Sequence, residues 1–311
     1  YCIQDCALCN KLVNKLSILS NNIGMANVCS VPLSYIFLRG QGIKILSLVS
    51  KECRDFDFLL PVLKKPKTDE QKEMDKKRKA KYKRYTNDSD SEEEDEGGYE
   101  GAIVLPPNPG IYLKHPITVL DYSSLYPSSM ISENLSHDTY VMDPKYDNLP
   151  GQEYKDKTYD VFEWIDPKIK SKGKRKVGQK TCRFAQYPDG EKGVIPKILM
   201  KLLSARKTTR KKILYKTIIP KEGDSFYGLL DKETETHITL KNVEGEAQTF
   251  EKSNIENFED TYNEFEKEVL DGLQLAYKVT ANSLYGQIGA PTSAIYLKDI
   301  CLLYTSPSPR D

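Results

Sequence analysis

The chain has 311 residues, 39% of them apolar and 10% aromatic, a composition ordinary for a globular protein with one large or two medium cores. Its 46 Lys+Arg and 45 Asp+Glu leave a formal net charge of +1, so bulk charge identifies no polyanionic partner and only the charge distribution is informative. No apolar run of about 18 residues occurs, which argues against a membrane span, and seven cysteines without pairing logic argue for reduced thiols rather than a secreted disulfide framework.

The chain opens Tyr1-Cys2-Ile3, with neither an initiator Met nor a basic and apolar leader, and reads as an internal piece of an open reading frame. Ile3, Cys6, Cys9, Leu12, Val13, Leu16 and Leu19 recur at helical spacing. One amphipathic helix is expected over 1–20, ended by Asn21, Asn22 and Gly24. Cys2, Cys6 and Cys9 have a metal-like spacing but no evident fourth ligand, and are expected to be small buried side chains on the inner face of that helix. Residues 24–63 should form helices and short turns.

Residues 64–98 change in kind. Lys64–Arg84 is dominated by Lys and Arg, and Asp88–Glu96 is almost wholly acidic. Such a tract buries too little apolar surface to offset chain entropy, so a disordered charged insert is expected. Ser89 and Ser91 lie among acids, either as phosphorylation sites or as plain solvated linker.

From Tyr99, Ile103–Leu105 and Thr118–Leu120 read as strands around a Pro/Gly turn. Residues 145–181 are polar and Lys-rich. Ile195–Lys216 is helical by periodicity and ends in basic residues. Residues 219–262 alternate and carry Gly223, Gly228 and Gly245, the pattern of a small β unit. A last helix is expected from about Tyr262 to Ser283 or beyond.

Three segments carry chemistry. An apolar stretch ends at Asp121, with a turn and Pro127 behind it. The carboxylate could ligate a hard cation such as Mg²⁺, with the following helix N-terminus holding phosphate. It could equally cap that helix. Arg206 and Arg210 share a helix face beside Lys207, Lys211 and Lys212, either as a claw for phosphate or as a solvated C-terminal turn. Lys278, Asn282 and Tyr285 fall on one helical stripe, able to contact phosphate, sugar and base, or simply polar surface.

Together these segments resemble family B DNA-dependent DNA polymerases. Asp121-Tyr-Ser-Ser-Leu-Tyr-Pro-Ser128 is similar to motif A, and Lys278-Val-Thr-Ala-Asn282-Ser-Leu-Tyr285-Gly286 to motif B. Gly193-Val-Ile-Pro-Lys with Leu202–Arg210 resembles the intervening fingers segment, and Tyr1-Cys-Ile-Gln-Asp5 the third exonuclease motif. The resemblance covers about 1–63, 99–216 and 262–300. Val31–Lys44 is similar to the eukaryotic delta-type branch, and the Lys-rich inserts point to a large nucleocytoplasmic DNA virus.

The resemblance implies an α+β fold: a partial right-hand polymerase, with a palm α/β sheet, helical fingers and the C-terminal end of an RNase H-like exonuclease domain. Residues 1–63 would be the exonuclease end and connection, and 64–98 the insert. Residues 99–190 would be N-terminal palm, and 191–290 fingers with a β-rich insert at about 219–262. The start of a palm segment would follow at 291–311, with a non-family tail from about 302.

The resemblance also implies roles. Asp121 would bind two Mg²⁺ ions and the Tyr122 carbonyl one of them. Backbone N–H groups of Ser124 and Leu125 would hold the triphosphate, and Tyr126 would exclude a ribose 2′-hydroxyl. Arg206, Arg210, Lys278 and Asn282 would grip the nucleotide. Tyr285 and Gly286 would face the nascent base pair, and Tyr99 and Gly101 the template. Tyr1 and Asp5 would serve the 3′–5′ exonuclease, Asp5 as a metal ligand.

The expected activity is DNA-templated DNA synthesis. Primer–template DNA, dNTPs and a sliding clamp are the expected partners, in host cytoplasm or nucleus, with no membrane and no secretion. Motif C and the thumb are not recognised here, so the 311-residue chain alone is expected to be inactive. The alternative is a non-catalytic DNA-binding or structural protein on a degenerate polymerase fold, against which intact Asp121, Tyr126, Arg206, Lys278 and Asn282 speak. A protein-primed family B enzyme is a nearer rival, and the delta-like segment speaks against it.

Overall fold

The computed structural model describes residues 1–60, 109–111, 113, 116, 118–165 and 174–302. The charged insert at 64–98, the strand expected at Ile103–Leu105, Tyr99, Gly101 and the end of the tail lie outside these residues. The chain divides into two compact units, each discontinuous in sequence: Tyr1–Phe56 with Val194–Leu284, and Asp57–Gly193 with Tyr285–Asp311.

The first unit begins with α1 (Cys2–Lys15), α2 (Ile18–Cys29), α3 (Leu33–Leu38) and α4 (Gln41–Asp55). The single helix expected over 1–20 is therefore two. The break falls at Ser17, which is left-handed (φ 46°). Asn21 and Gly24, expected as stop signals, lie inside α2. The Asn21 amide donates back to the Leu16 carbonyl (3.2 Å), and Gly24 packs close to Leu273. Tertiary packing has overridden local stop chemistry. Cys2, Cys6 and Cys9 are exposed rather than buried, because α1 buries no residue among those described. Its periodicity marks a stripe that nothing described here covers. The buried thiols are Cys29 and Cys53 in this unit, and Cys182 and Cys301 in the other.

The long helix α6 (Val194–Ile213; α5 belongs to the second unit) buries Ile195, Ile198, Leu199 and Leu202, as the periodicity predicts. It stops before Lys216 because Tyr215–Pro220 forms β3 of a sheet. That sheet comprises β3, β4 (Phe226–Glu233), β5 (His237–Lys241), β6 (Ala247–Glu251) and β7 (Ile255–Asp260), in spatial order β6-β5-β4-β3-β7. Every pairing is antiparallel. Ile218, Ile238 and Leu240 form its buried centre, covered by Phe226, Leu230, Phe250, Ile255 and Phe258. The expected small β unit is thus present and starts at Tyr215.

Helix α7 (Glu264–Gly289) starts with a reciprocal cap. Asn263 Oδ1 accepts from the Glu266 N–H and Glu266 Oε2 from the Asn263 N–H, both at 2.9 Å, which satisfies two helix-end donors at once. Its residues through Leu284 belong to the first unit and those from Tyr285 to the second. Within the first unit α7 approaches α2 closely: a Cβ on Gly272 would lie 3.3 Å from Asn21 Cα.

The second unit holds α5 (Leu125–Ser132), a long hairpin of β1 (Glu153–Trp164) and β2 (Lys174–Gln186), and α8 (Lys298–Leu302). Residues 139–141 extend β2 on its outer edge, through Ala185 N–H to Thr139 O (2.7 Å) and Val141 N–H to Arg183 O (2.9 Å). This hairpin was not expected from the polar, Lys-rich run at 145–181. Among its described side chains Tyr159, Cys182 and Phe184 are buried, and charged residues such as Lys155, Lys157, Lys180 and Arg183 stand along both strands. Across it Arg183 grips Asp156 bidentately (2.6 and 2.7 Å). Thr118–Leu120, expected as a strand, is unpaired among the described residues, with Val119 and Leu120 exposed. A strand exists only through its partner, and no described segment supplies one.

Candidate functional site

In the second unit, Asp121 and Tyr122 are exposed at the end of the unpaired stretch. Ser124 turns the chain into α5 with a left-handed backbone (φ 51°, ψ 55°), an uncommon conformation for a residue with a Cβ. The turn is held by Ser128, whose N–H donates to Ser124 O (2.9 Å) and whose hydroxyl donates to Ser123 O (3.0 Å). The N–H groups of the first turn of α5, Leu125 and Tyr126 among them, have no acceptor within the helix itself. An anion is favoured there.

The far end of α5 is anchored by Asn134, which is buried. Its amide donates to Ala185 O (3.3 Å), and its Oδ1 accepts from the Gly193 N–H (2.7 Å). Glu133 beside it takes an ion pair from Lys157 (2.7 Å). The Lys157 hydrogen bond holds the Glu133 carboxyl below its ordinary range despite partial burial. The helix carrying the candidate residues is therefore fixed to the hairpin at its C-terminal end.

The Tyr126 ring stacks on Tyr285, centroids 4.3 Å apart and planes 16° from parallel. Tyr285 is buried, and its hydroxyl donates to Cys301 O (3.0 Å). Gly286 follows, and no atom lies within 4 Å of where a Cβ would stand.

The first unit carries the cations. Arg206 on α6 donates through Nε to Gln274 Oε1 on α7 (3.3 Å). Lys278 and Asn282 lie one and two turns beyond Gln274 and are both exposed. Arg210, one turn beyond Arg206 on α6, is also exposed. Two helices thus bring an Arg, an amide, a Lys and a second amide into one polar row. Gln274 was missed from the sequence; its signal was its position four residues before Lys278.

Tyr1 and Asp5 lie at the start of α1, joined by the Asp5 N–H to Tyr1 O bond (2.9 Å). Among the described residues no group of three or more His, Cys, Asp or Glu is placed to hold a metal.

The chain is an α+β protein, and the helix start at Ser124–Leu125 in one unit and the row of cations and amides in the other are each of a chemistry that suits phosphate. The chain matches the model of DNA polymerase family B over residues 31–222 and 251–307, and it belongs to that family. The match passes Ile300, where the sequence pattern was expected to end, and skips 223–250 inside the five-stranded sheet. The chain is 55% identical over 306 residues to a DNA polymerase of Pyramimonas orientalis virus, covering 98% of this chain and 23% of that protein. It is 38% identical over 329 residues to a DNA polymerase of Phaeocystis pouchetii virus, covering 98% of this chain and 24% of the relative. To a DNA polymerase delta catalytic subunit of Dictyostelium discoideum it is 30% identical over 306 residues, 98% of this chain and 19% of the relative. The chain therefore spans about a quarter of the viral relatives it matches.

Proposed function

We propose that this chain is the nucleotide-binding portion of a DNA-templated DNA polymerase, one that transfers a nucleotidyl group from a dNTP to a primer 3′-hydroxyl. The observation that carries the reading is the family match, which runs through both the Asp121–Ser128 and the Lys278–Gly286 segments. Primer–template DNA and dNTPs are its substrates, and a sliding clamp is a partner of the longer protein. Tyr1 and Asp5 belong on this reading to a 3′–5′ exonuclease site.

The residues fit their parts. The exposed carboxylate of Asp121 and the carbonyl of Tyr122 are hard oxygen donors, the kind Mg²⁺ takes while leaving positions for substrate phosphates. Bound there, Mg²⁺ would neutralise charge developing on the reacting oxygens. The first-turn N–H groups of α5 donate to the triphosphate oxygens, and Tyr126 occupies the space a ribose 2′-hydroxyl needs. Arg206, Arg210, Lys278 and Asn282 hold the phosphates. Phosphoryl transfer asks of a protein mainly positioning and charge compensation, which is what this set of side chains offers.

The test is primer extension by the full-length polymerase carrying Asp121→Ala. Incorporation should fall by about a hundred- to a thousandfold or more, as loss of a reaction-centre electrostatic group does. Extension at wild-type rate would remove Asp121 from the reaction.

A further inference from the structure

The short helix α8 (Lys298–Leu302) is held in a way that the proposed reaction does not use. Asp299 is largely buried, its side chain 14% exposed, and its carboxylate is saturated. Tyr140 donates to Oδ2 and Tyr159 to Oδ1, each at 2.6 Å, and Lys180 Nζ lies 3.0 Å from both oxygens. All three donors come from the β1–β2 hairpin and the segment 139–141 beside it. Burial alone would raise the Asp299 carboxyl; the two phenols and the ammonium more than offset it, so it sits below its ordinary range.

Two residues on, Cys301 is fully buried and locked to Tyr285 in both directions. The Tyr285 hydroxyl donates to Cys301 O (3.0 Å), and Cys301 Sγ donates to Tyr285 O (3.4 Å). Tyr285 in turn is the ring stacked on Tyr126. A helix of five residues does not hold itself in water, so the place of the Cys301 carbonyl depends on what tethers α8. Asp299 is the charged tether. Every residue of this path belongs to the second unit.

We propose that Asp299 is a positioning residue for sugar selection: through α8 and the Tyr285–Cys301 pair it fixes the plane against which Tyr126 stacks. The inference rests on the reading of Tyr126 as the group that excludes a 2′-hydroxyl. Freed from its tether, α8 shifts, Tyr285 follows, and Tyr126 no longer blocks the 2′ position fully. Discrimination falls before catalysis does.

The experiment measures kcat/KM for a dNTP and the rNTP of the same base, with the full-length polymerase on primer–template DNA. Tyr126→Ala should raise relative rNTP use by about tenfold or more. Asp299→Ala should raise it by roughly three- to tenfold, the range in which residues acting through a packed path modulate a site. In the Tyr126→Ala background Asp299→Ala should add nothing to the ratio, since its route to the sugar is already cut. Should Asp299→Ala not fold, Tyr159→Phe and Tyr140→Phe each remove one bond to the carboxylate and should shift the ratio in the same direction. A ratio unchanged in all three tether variants, with rNTP and dNTP rates falling together, overturns the proposal while a raised ratio in Tyr126→Ala leaves the Tyr126 reading intact. An unchanged ratio in Tyr126→Ala itself overturns both.

Discussion

His137 shows how a single buried side chain sets a pH dependence. Its Nε2–H donates to Ile295 O at 3.0 Å. Burial penalises the imidazolium more than that bond and the nearby Asp138 favour it, so its pKa lies below the ordinary value of 6.5. The unfolded chain therefore binds a proton that the folded chain resists. The contribution is fully present above about pH 6.5 and is lost progressively as pH falls below it. Thermal unfolding followed by circular dichroism should give a lower midpoint at pH 5 than at pH 7.5. His137→Gln, which keeps a donor for Ile295 O, should flatten that slope between the two values. An undiminished slope in the variant would assign the effect to other groups. Asp299 has a linkage of the same sign: held below its ordinary range, it too stabilises above that range and loses its contribution as pH falls through the folded value.

At the scale of elements, Gly228 and Gly178 make a matched pair. Gly228 lies in β4, and a Cβ there would stand 2.7 Å from the carbonyl carbon of Lys241 and 3.1 Å from the Asn242 nitrogen. Both are backbone atoms of the neighbouring strand and its turn, so neither can swing aside. Gly178 lies in β2, and its missing Cβ would meet nothing within 4 Å. Gly228→Ala should cost about 1–3 kcal/mol through forced separation of β4 and β5. Gly178→Ala should be neutral or stabilising by a few tenths to about 1 kcal/mol, because alanine gives up less backbone entropy on folding. Denaturant unfolding of both variants decides it; equal midpoints would mean that β4 and β5 accommodate the methyl.

The same elements show what was legible in the sequence. The helical runs in α6 and α7 were legible because a dense apolar face repeats at period 3.6. So were the Asp121–Ser128 and Lys278–Gly286 segments, because rare residue types stand there at fixed offsets. The β1–β2 hairpin was not: it is fastened by cross-strand polar pairs such as Asp156–Arg183 and Thr158–Thr181 (2.8 Å), which leave no hydrophobic alternation to read. Nor was the role of Asp299, whose three donors come from positions 140, 159 and 180, far away in sequence and brought together only by the fold.

At the scale of the whole chain, the five-stranded sheet shows how an insertion is carried without disturbing its host. The family model stops at residue 222 and resumes at 251. These ends are neighbours, because β3 and β7 pair directly, with Thr217 opposite Glu259 and Ile218 opposite Phe258. The Lys221 N–H also donates to Asn254 O (3.0 Å). Residues 223–250 are thus a meander hung on one edge of a two-stranded ribbon, and a short turn could replace them. The ribbon alone would expose Ile218, which is fully buried in the sheet centre. Excision should therefore be paired with Ile218→Thr and Phe258→Thr, which place polar, β-branched side chains on the newly wetted face. That variant should retain the far-UV helical signal of the intact chain and a cooperative thermal transition, with a selective loss of strand content. Loss of the helical signal along with the strands would mean that α6 and α7 depend on the meander for their packing and that it is part of the unit's core.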